Sequence, residues 1–426
     1  STIAIAAAEG LQLSQATASS LLAEASLTLI SGSSGTGDLA FDPTNTTTIE
    51  ADEVAFSAGN EYTDAPGPTE QVQVIDDVDV PHARIDFGRT TPGDPASVQV
   101  SGIAGAALTR IQIAQDASIG ADELPTLAEL AVDTATTVNL RSNDGALRVD
   151  GATSDLLNAV GTGTLEAARR PEAGGSEAIA LDAPVNTGSL QQLDVLVAGD
   201  LVVDPTLAGN ITGIDTLGIL AGARATAAAP SDPPVDDEVL GNLTIQGDLT
   251  AGTDLTLHGG TGGLGDLVVD ANLTADAITL RAGDGVGGVG AASAVQIDGG
   301  SITADDFTLR QDGAIGGVAT AIPAVASRTV SATEPDRYEL RSDDAGIVVE
   351  QSDAPALEDK ALVLASRTLS MDGFDEANPL RVHSLDLGRI GAFTVTDADL
   401  APFDLASDTG AMLPAPRTLT LRAGIG

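Results

Sequence analysis

Five arginines occupy one recurring position in the chain. Each follows an apolar or aromatic residue, any residue and a leucine, and each precedes a Gly/Asp-rich turn or the chain end: Val138-Asn-Leu-Arg141, Ile278-Thr-Leu-Arg281, Phe307-Thr-Leu-Arg310, Tyr338-Glu-Leu-Arg341 and Leu419-Thr-Leu-Arg422. Guanidinium groups repeated at a corner suit two kinds of chemistry, namely contacts within the corner and the binding of anionic glycans. Arg141, Arg281, Arg310 and Arg341 each lie a few residues from an Asp. Corner salt bridges or carbonyl contacts are therefore the expected use, each contributing little by itself.

Carboxylates are the other reactive groups present in number. Asp76-Asp77-Val-Asp79 is the clearest cluster, followed by the stretch from Asp232 to Glu238 and by Asp343-Asp344. Loop carboxylates can hold Ca²⁺ through oxygen ligands, although an acidic cluster is more often a solvated face. Asp76, Asp77 and Asp79 are the Ca²⁺ candidates, and no other cofactor is expected. The run Gly259-Gly-Thr-Gly-Gly-Leu-Gly-Asp266 does not place its Asp as the calcium-binding nonapeptide repeat requires.

Catalysis finds little support in the residues. His82, His258 and His383 are scattered, Cys is absent, and no nucleophile elbow or metal-spaced His pair occurs. No catalytic residue is assigned and the chain reads as a non-enzyme. The enzymatic alternative is a polysaccharide-degrading protein of pectate-lyase-like β-helix fold, since such folds carry carboxylates on an exposed face. Lys360 is the only lysine and aromatics make up 2% of the chain, which argues against a sugar-stacking groove. Four sequons, at Asn45, Asn210, Asn242 and Asn272, read as chance matches in a Thr-rich chain.

The elements that must carry these residues are visible between Leu240 and Gly317, where the sequence repeats itself three times. One copy reads Leu243-Thr-Ile245, Leu249-Thr-Ala251, Leu255-Thr-Leu257. The next reads Leu267-Val-Val269, Leu273-Thr-Ala275, Ile278-Thr-Leu280, and the third Val295-Gln-Ile297, Ile302-Thr-Ala304, Phe307-Thr-Leu309. Apolar/polar alternation predicts short strands with one buried face. Three such strands joined by tight corners make one coil, which cannot bury that face alone. Stacked coils pair equivalent strands in parallel at roughly 4.8 Å and pile Leu, Ile and Val into columns. The expected fold is all-β: a single-stranded parallel β-helix, or β-solenoid, with side loops.

Composition agrees. A narrow bore filled by aliphatic side chains needs few aromatics, and 48 Gly suit corners that require positive φ. With no Cys, stability must come from the stacked ladder. Sixty-two acidic against 19 basic residues give a formal charge of -43. That balance excludes nucleic acid, whose binding relies on neutralising phosphates with Lys and Arg, and it suits a salty or cation-rich exterior. No apolar run is long enough to insert into a membrane.

Taken in order, residues 1–426 read as one continuous solenoid segment, with irregular or protruding stretches near 150–189, 223–239 and 319–337. The run Gln15 to Ala25 has some helical character. Leu156 to Val160 and Leu165 to Arg170 resemble a short helix or a protruding loop, whereas Leu201-Val-Val203 and Leu207 read as regular coil. Because the first residues already form a coil strand and the last stop within a repeat, the chain is expected to be a segment of a longer exported protein.

The repeats Gly241-Asn-Leu-Thr-Ile-Gln-Gly-Asp-Leu-Thr-Ala251 and Asp270-Ala-Asn-Leu-Thr-Ala-Asp-Ala-Ile-Thr-Leu280 resemble the filamentous haemagglutinin type, found in large secreted bacterial adhesins. The turn Asp312-Gly-Ala-Ile-Gly-Gly317 and its relative Asp116-Ala-Ser-Ile-Gly120 are similar to the Gly-Ile-Gly corner of that family. The resemblance is clear over residues 190–317 and fainter elsewhere, and the family's N-terminal secretion domain is not recognisable. It implies a right-handed β-helix exported to the bacterial cell surface, a shaft of an adhesin or a filament subunit. The partners expected are further copies of the chain, end to end or side by side, and cell-surface or matrix glycans.

Overall fold

In the computed structural model of the chain, residues 2–8, 10–13, 20–32, 38–41, 46–59, 85–87, 98–115, 119, 130–133, 135–142, 147–167, 179–185, 189–222, 241–261, 265–283, 293–317, 319–329, 335–375, 377–389, 402–404 and 419–423 are described. They form an all-β parallel solenoid. The chain divides into two units: residues 1–199, 210–214 and 223–237 make the first, and 200–209, 215–222 and 238–426 the second.

In the first unit the longest face stacks the strands Thr2–Ala6, Ser26–Ser31, Glu53–Ala58, Leu108–Gln115, Ala135–Ser142, Thr162–Ala167 and Gln192–Val197, each parallel to the next. Alternation decides which side chains face inward. Leu29, Phe56, Ile113, Leu140, Leu165 and Val195 form one buried column in strict register. Leu27, Val54, Ile111, Val138, Gly163 and Leu193 form the column beside it. Burying such a side chain stabilises by about 1.5–3 kcal/mol, and each rung contributes only a few. A second face stacks Ser20–Leu22, Thr47–Glu50, Val98–Ser101 and Leu130–Val132. A third stacks Leu11–Leu13, Leu39–Phe41 and Ile85–Asp86, then Leu147–Val149 with Ile179–Leu181.

The second unit repeats the scheme. Leu255, Ile278, Phe307, Tyr338, Leu362 and Leu385 are one buried column, and Leu257, Leu280, Leu309, Leu340, Leu364 and Leu387 the other. The three-copy repeat is paired as its sequence dictates: Leu243 with Leu267 and Val295, Leu249 with Leu273 and Ile302, Leu255 with Ile278 and Phe307. Tyr338 is fully buried against Phe307, with ring centroids 5.0 Å apart, and its hydroxyl donates to the Pro323 carbonyl at 2.5 Å.

Corners after the long strands need left-handed backbone, which only Gly adopts without strain. At Gly283, where φ is 81°, a Cβ would also lie 2.0 Å from Asp312 Oδ2. At the Gly-Ile-Gly-like turn, Ile315 is buried and bridges to Ile347, as Ile119 bridges to Leu147 in the first unit.

Two sequence expectations change. Leu165 lies in the strand Thr162–Ala167, not in a helix or protruding loop. The helix is Gly151–Asn158, capped by Asp150, whose Oδ1 accepts from Thr153 N at 2.8 Å. Its Leu157 fills space that the column would otherwise fill. Gly163 stands where neighbouring rungs carry Val138 and Leu193, and a Cβ there would meet Leu157 at 2.9 Å. Leu207 likewise sits in a helical turn, Pro205–Gly209, whose Ala208 packs over Gly247. Within Gln15 to Ala25, Ser20–Leu22 is a strand and residues 14–19 lie outside the described set. The 319–329 stretch supplies a strand, Val325–Ala326, that pairs with Ile302-Thr303, and residues 223–239 lie outside the described residues.

Candidate functional site

The corner arginines of the second unit stand on one ladder. His258, Arg281, Arg310 and Arg341 are register partners on successive rungs, continued by Ala365, Gly388 and the backbone of Arg422. The arginines point outward because each follows an inward leucine by one residue, whereas His258 is buried. Like charges directly opposite one another in a sheet repel, and one carboxylate offsets this. Asp343, with 6% of its side chain exposed, accepts from Arg310 Nε through Oδ2 and from Arg341 Nε through Oδ1, both at 2.6 Å. Arg367 adds a further contact, its Nη2 lying 2.6 Å from Asp344 Oδ1. Arg141 belongs to the first unit, with Nη1 3.7 Å from Glu166 Oε1 on the next rung.

Asp76, Asp77, Asp79 and His82 lie outside the described residues, as do Asp232 to Glu238 and the Arg422 side chain. His383 is partly exposed, its backbone N donating to the Lys360 carbonyl at 2.9 Å.

His258 takes the ladder position that arginine holds on the following rungs. Its Nε2 donates to the Gly283 carbonyl at 2.8 Å. Burial pushes its pKa down to about 4, with Arg281 and Arg310 acting in the same direction against that hydrogen bond. The folded state therefore binds this proton more weakly than the unfolded chain, whose imidazole titrates near 6.5. Stability from this group is complete above pH 6.5 and falls as pH drops through 6.5 toward about 4. In denaturant titrations across that window, the His258→Gln protein is expected to lose less stability on acidification than the parent. Parallel pH profiles for the two would contradict this.

Two further ladders escaped the sequence reading. Asp200 Oδ1 accepts from Asn242 N at 2.8 Å, Asn242 Oδ1 from Asp266 N at 2.9 Å, and Asp266 Oδ1 from Ala294 N at 2.8 Å. At the next corner Asp248 Oδ1 accepts from Asn272 N at 2.8 Å, and Asn272 Oδ1 from Ser301 N at 3.0 Å. The Asn272 amide also donates to both Asp248 oxygens at 3.0 Å, and these side-chain bonds hold the Asp248 carboxyl below its ordinary range. The signal was present: Asp or Asn immediately precedes the strand leucine at 200, 242, 248, 266 and 272. Asn272→Ala removes one acceptor and one donor from this column and is expected to cost about 1–2 kcal/mol, read by urea unfolding.

A third set lies just inside the arginine corner. Ser31, Gln115, Ser142, Gln311, Ser342 and Ser366 are buried, and several of them satisfy turn backbone. Gln115 Oε1 accepts from Ile85 N at 2.9 Å and Gln311 Oε1 from Val295 N at 2.8 Å. Ser342 Oγ donates to the Gly313 carbonyl at 2.7 Å. Among the described residues no group of three His, Asp or Glu side chains is arranged to hold a metal ion. No helix of the described residues is long and apolar enough to cross a membrane.

No protein-family model, curated protein or solved structure matches the chain. The β-helix repeat architecture is seen directly, and the likeness to filamentous haemagglutinin-type repeats rests on the residues alone.

Proposed function

We propose that the chain is a structural and adhesive element of a bacterial cell-surface or secreted protein, the shaft of an adhesin or the subunit of a filament, and that it works without catalysis. The observation that supports this most is the direction of its polar chemistry. In both units the described side-chain bonds run mainly from one rung to the next or into a corner: Arg141 to Glu166, Asp200 to Asn242 to Asp266, Asp248 to Asn272 to Ser301, and Arg310 and Arg341 to Asp343. Groups committed to stacking maintain a surface; a hydrolase or lyase would instead direct carboxylates at a substrate. The charge of -43 suits an exterior rich in salt or divalent cations. Partners in this reading are other copies of the chain and extracellular glycans.

Purified protein incubated with a panel of neutral and acidic polysaccharides is expected to release no reducing or unsaturated ends. It is expected to appear as rods or regular filaments in negative-stain micrographs. Turnover of any polysaccharide would replace this reading with the glycan-cleaving one.

A further inference from the structure

The geometry points to Arg310 and Arg341 as a docking ladder for carboxylate-bearing polysaccharide, which rests on the adhesive role proposed above and names its ligand class. Each arginine uses only Nε on Asp343. The Nη groups of both have no partner among the described residues, and the side chains remain 27% and 19% exposed. Two guanidinium groups are thus held on adjacent rungs by one nearly buried carboxylate, with their outer donors open and an excess of one positive charge in the trio. An arrangement built only to neutralise Asp343 would need one arginine.

The neighbouring column defines what kind of anion fits. On the same face stand Thr308, two residues before Arg310, and its register partner Glu339, two residues before Arg341, whose carboxylate is engaged by Arg337. A planar carboxylate matches the guanidinium fork in two parallel hydrogen bonds, and sugar hydroxyls match Thr308 and the outward Glu339. Because the two arginines stand on adjacent rungs roughly 4.8 Å apart, the fit is to a polymer that offers carboxylates on neighbouring residues. Repulsion from the acidic remainder of the chain is screened beyond about 8 Å at physiological ionic strength, which leaves the short-range contacts to decide binding.

The test is calorimetry with a short linear polyuronate, and with the same oligosaccharide after its carboxyls are reduced to alcohols, in about 0.15 M salt. The full chain is expected to bind the uronate and not the reduced sugar. Arg310→Gln with Arg341→Gln should weaken binding about tenfold or more. Arg310→Lys with Arg341→Lys, which keeps both charges beside Asp343, should also weaken it while leaving the thermal midpoint near that of the parent. Equal binding of both sugars, uronate binding unchanged in the lysine variant, or no uronate binding by the parent would each overturn the inference. So would self-association that the arginine substitutions abolish and the uronate does not inhibit, because the ladder would then serve a second copy of the chain. None of these results bears on catalysis, so the scaffold reading stands or falls separately, on product release.

Discussion

Replacing Phe56 with alanine is expected to destabilise the first unit by about 3–5 kcal/mol, the largest effect of any single truncation considered. The chain contains only seven Phe, and three of them meet here. Phe56 and Phe41 pack edge to face at 5.8 Å, Phe56 and Phe87 at 5.5 Å, while Phe41 and Phe87 stack at 5.6 Å. All three are buried, and Phe56 is also the rung between Leu29 and Ile113 in the aliphatic column. Removing its ring leaves a cavity bounded by in-register strands, which cannot collapse without breaking their ladders. Aromatic pairs add about 0.5–1.5 kcal/mol each beyond area. Because solenoids unfold by neighbouring rungs, hydrogen exchange should accelerate most in Ser26–Ser31 and Leu108–Gln115. A loss under about 1 kcal/mol in urea unfolding would show that the rungs repack, against the rigid-column account.

The second large effect is expected at Asp343. Asp343→Ala leaves Arg310 and Arg341 as adjacent like charges on neighbouring rungs with their Nε donors unpaired. Breaking a fully buried ion pair costs about 3–5 kcal/mol. Since the two guanidinium groups stay 27% and 19% exposed, solvent screening reduces the expectation to about 2–3 kcal/mol. A double-mutant cycle isolates the cause: with Arg310→Gln already present, Asp343→Ala should cost clearly less. Additive costs would mean that the carboxylate acts through its turn and not through the pair.

How much was legible follows from these residues. The columns could be read because Leu-Thr-Leu alternation marks which side chains face inward, and identical spacing forces identical register; Leu280 opposite Leu309 needs nothing more. Rungs that borrow a core residue from elsewhere could not be read this way. Gly163 looks like a defect in its strand until Leu157 is seen filling the space from a helix eight residues long, and α-like character around Leu165 was a false lead for the same reason. The arginine corner was visible as a motif. Its pairing was legible in part: Arg341 takes Asp343 two residues on, as the nearby-Asp expectation has it, but the same carboxylate also reaches Arg310 across a separation of 33 residues. The Asn/Asp ladders at 242, 248, 266 and 272 were printed in two of the three repeats, but their bonds run from side chain to the next rung's backbone and leave no trace in composition.

In-register parallel stacking is the premise beneath all of these expectations, and a chain without cysteine permits a direct measurement of it. Thr279→Cys with Thr308→Cys places two thiols outward on adjacent rungs, with Cα atoms at about the strand spacing and within the range a disulfide spans. Thr279→Cys with Glu339→Cys places them two rungs apart, at roughly 10 Å, beyond that range. Mild oxidation followed by peptide mapping should close the first pair nearly completely and leave the second open. Closure of the second pair, or failure of the first, would contradict the stacked register.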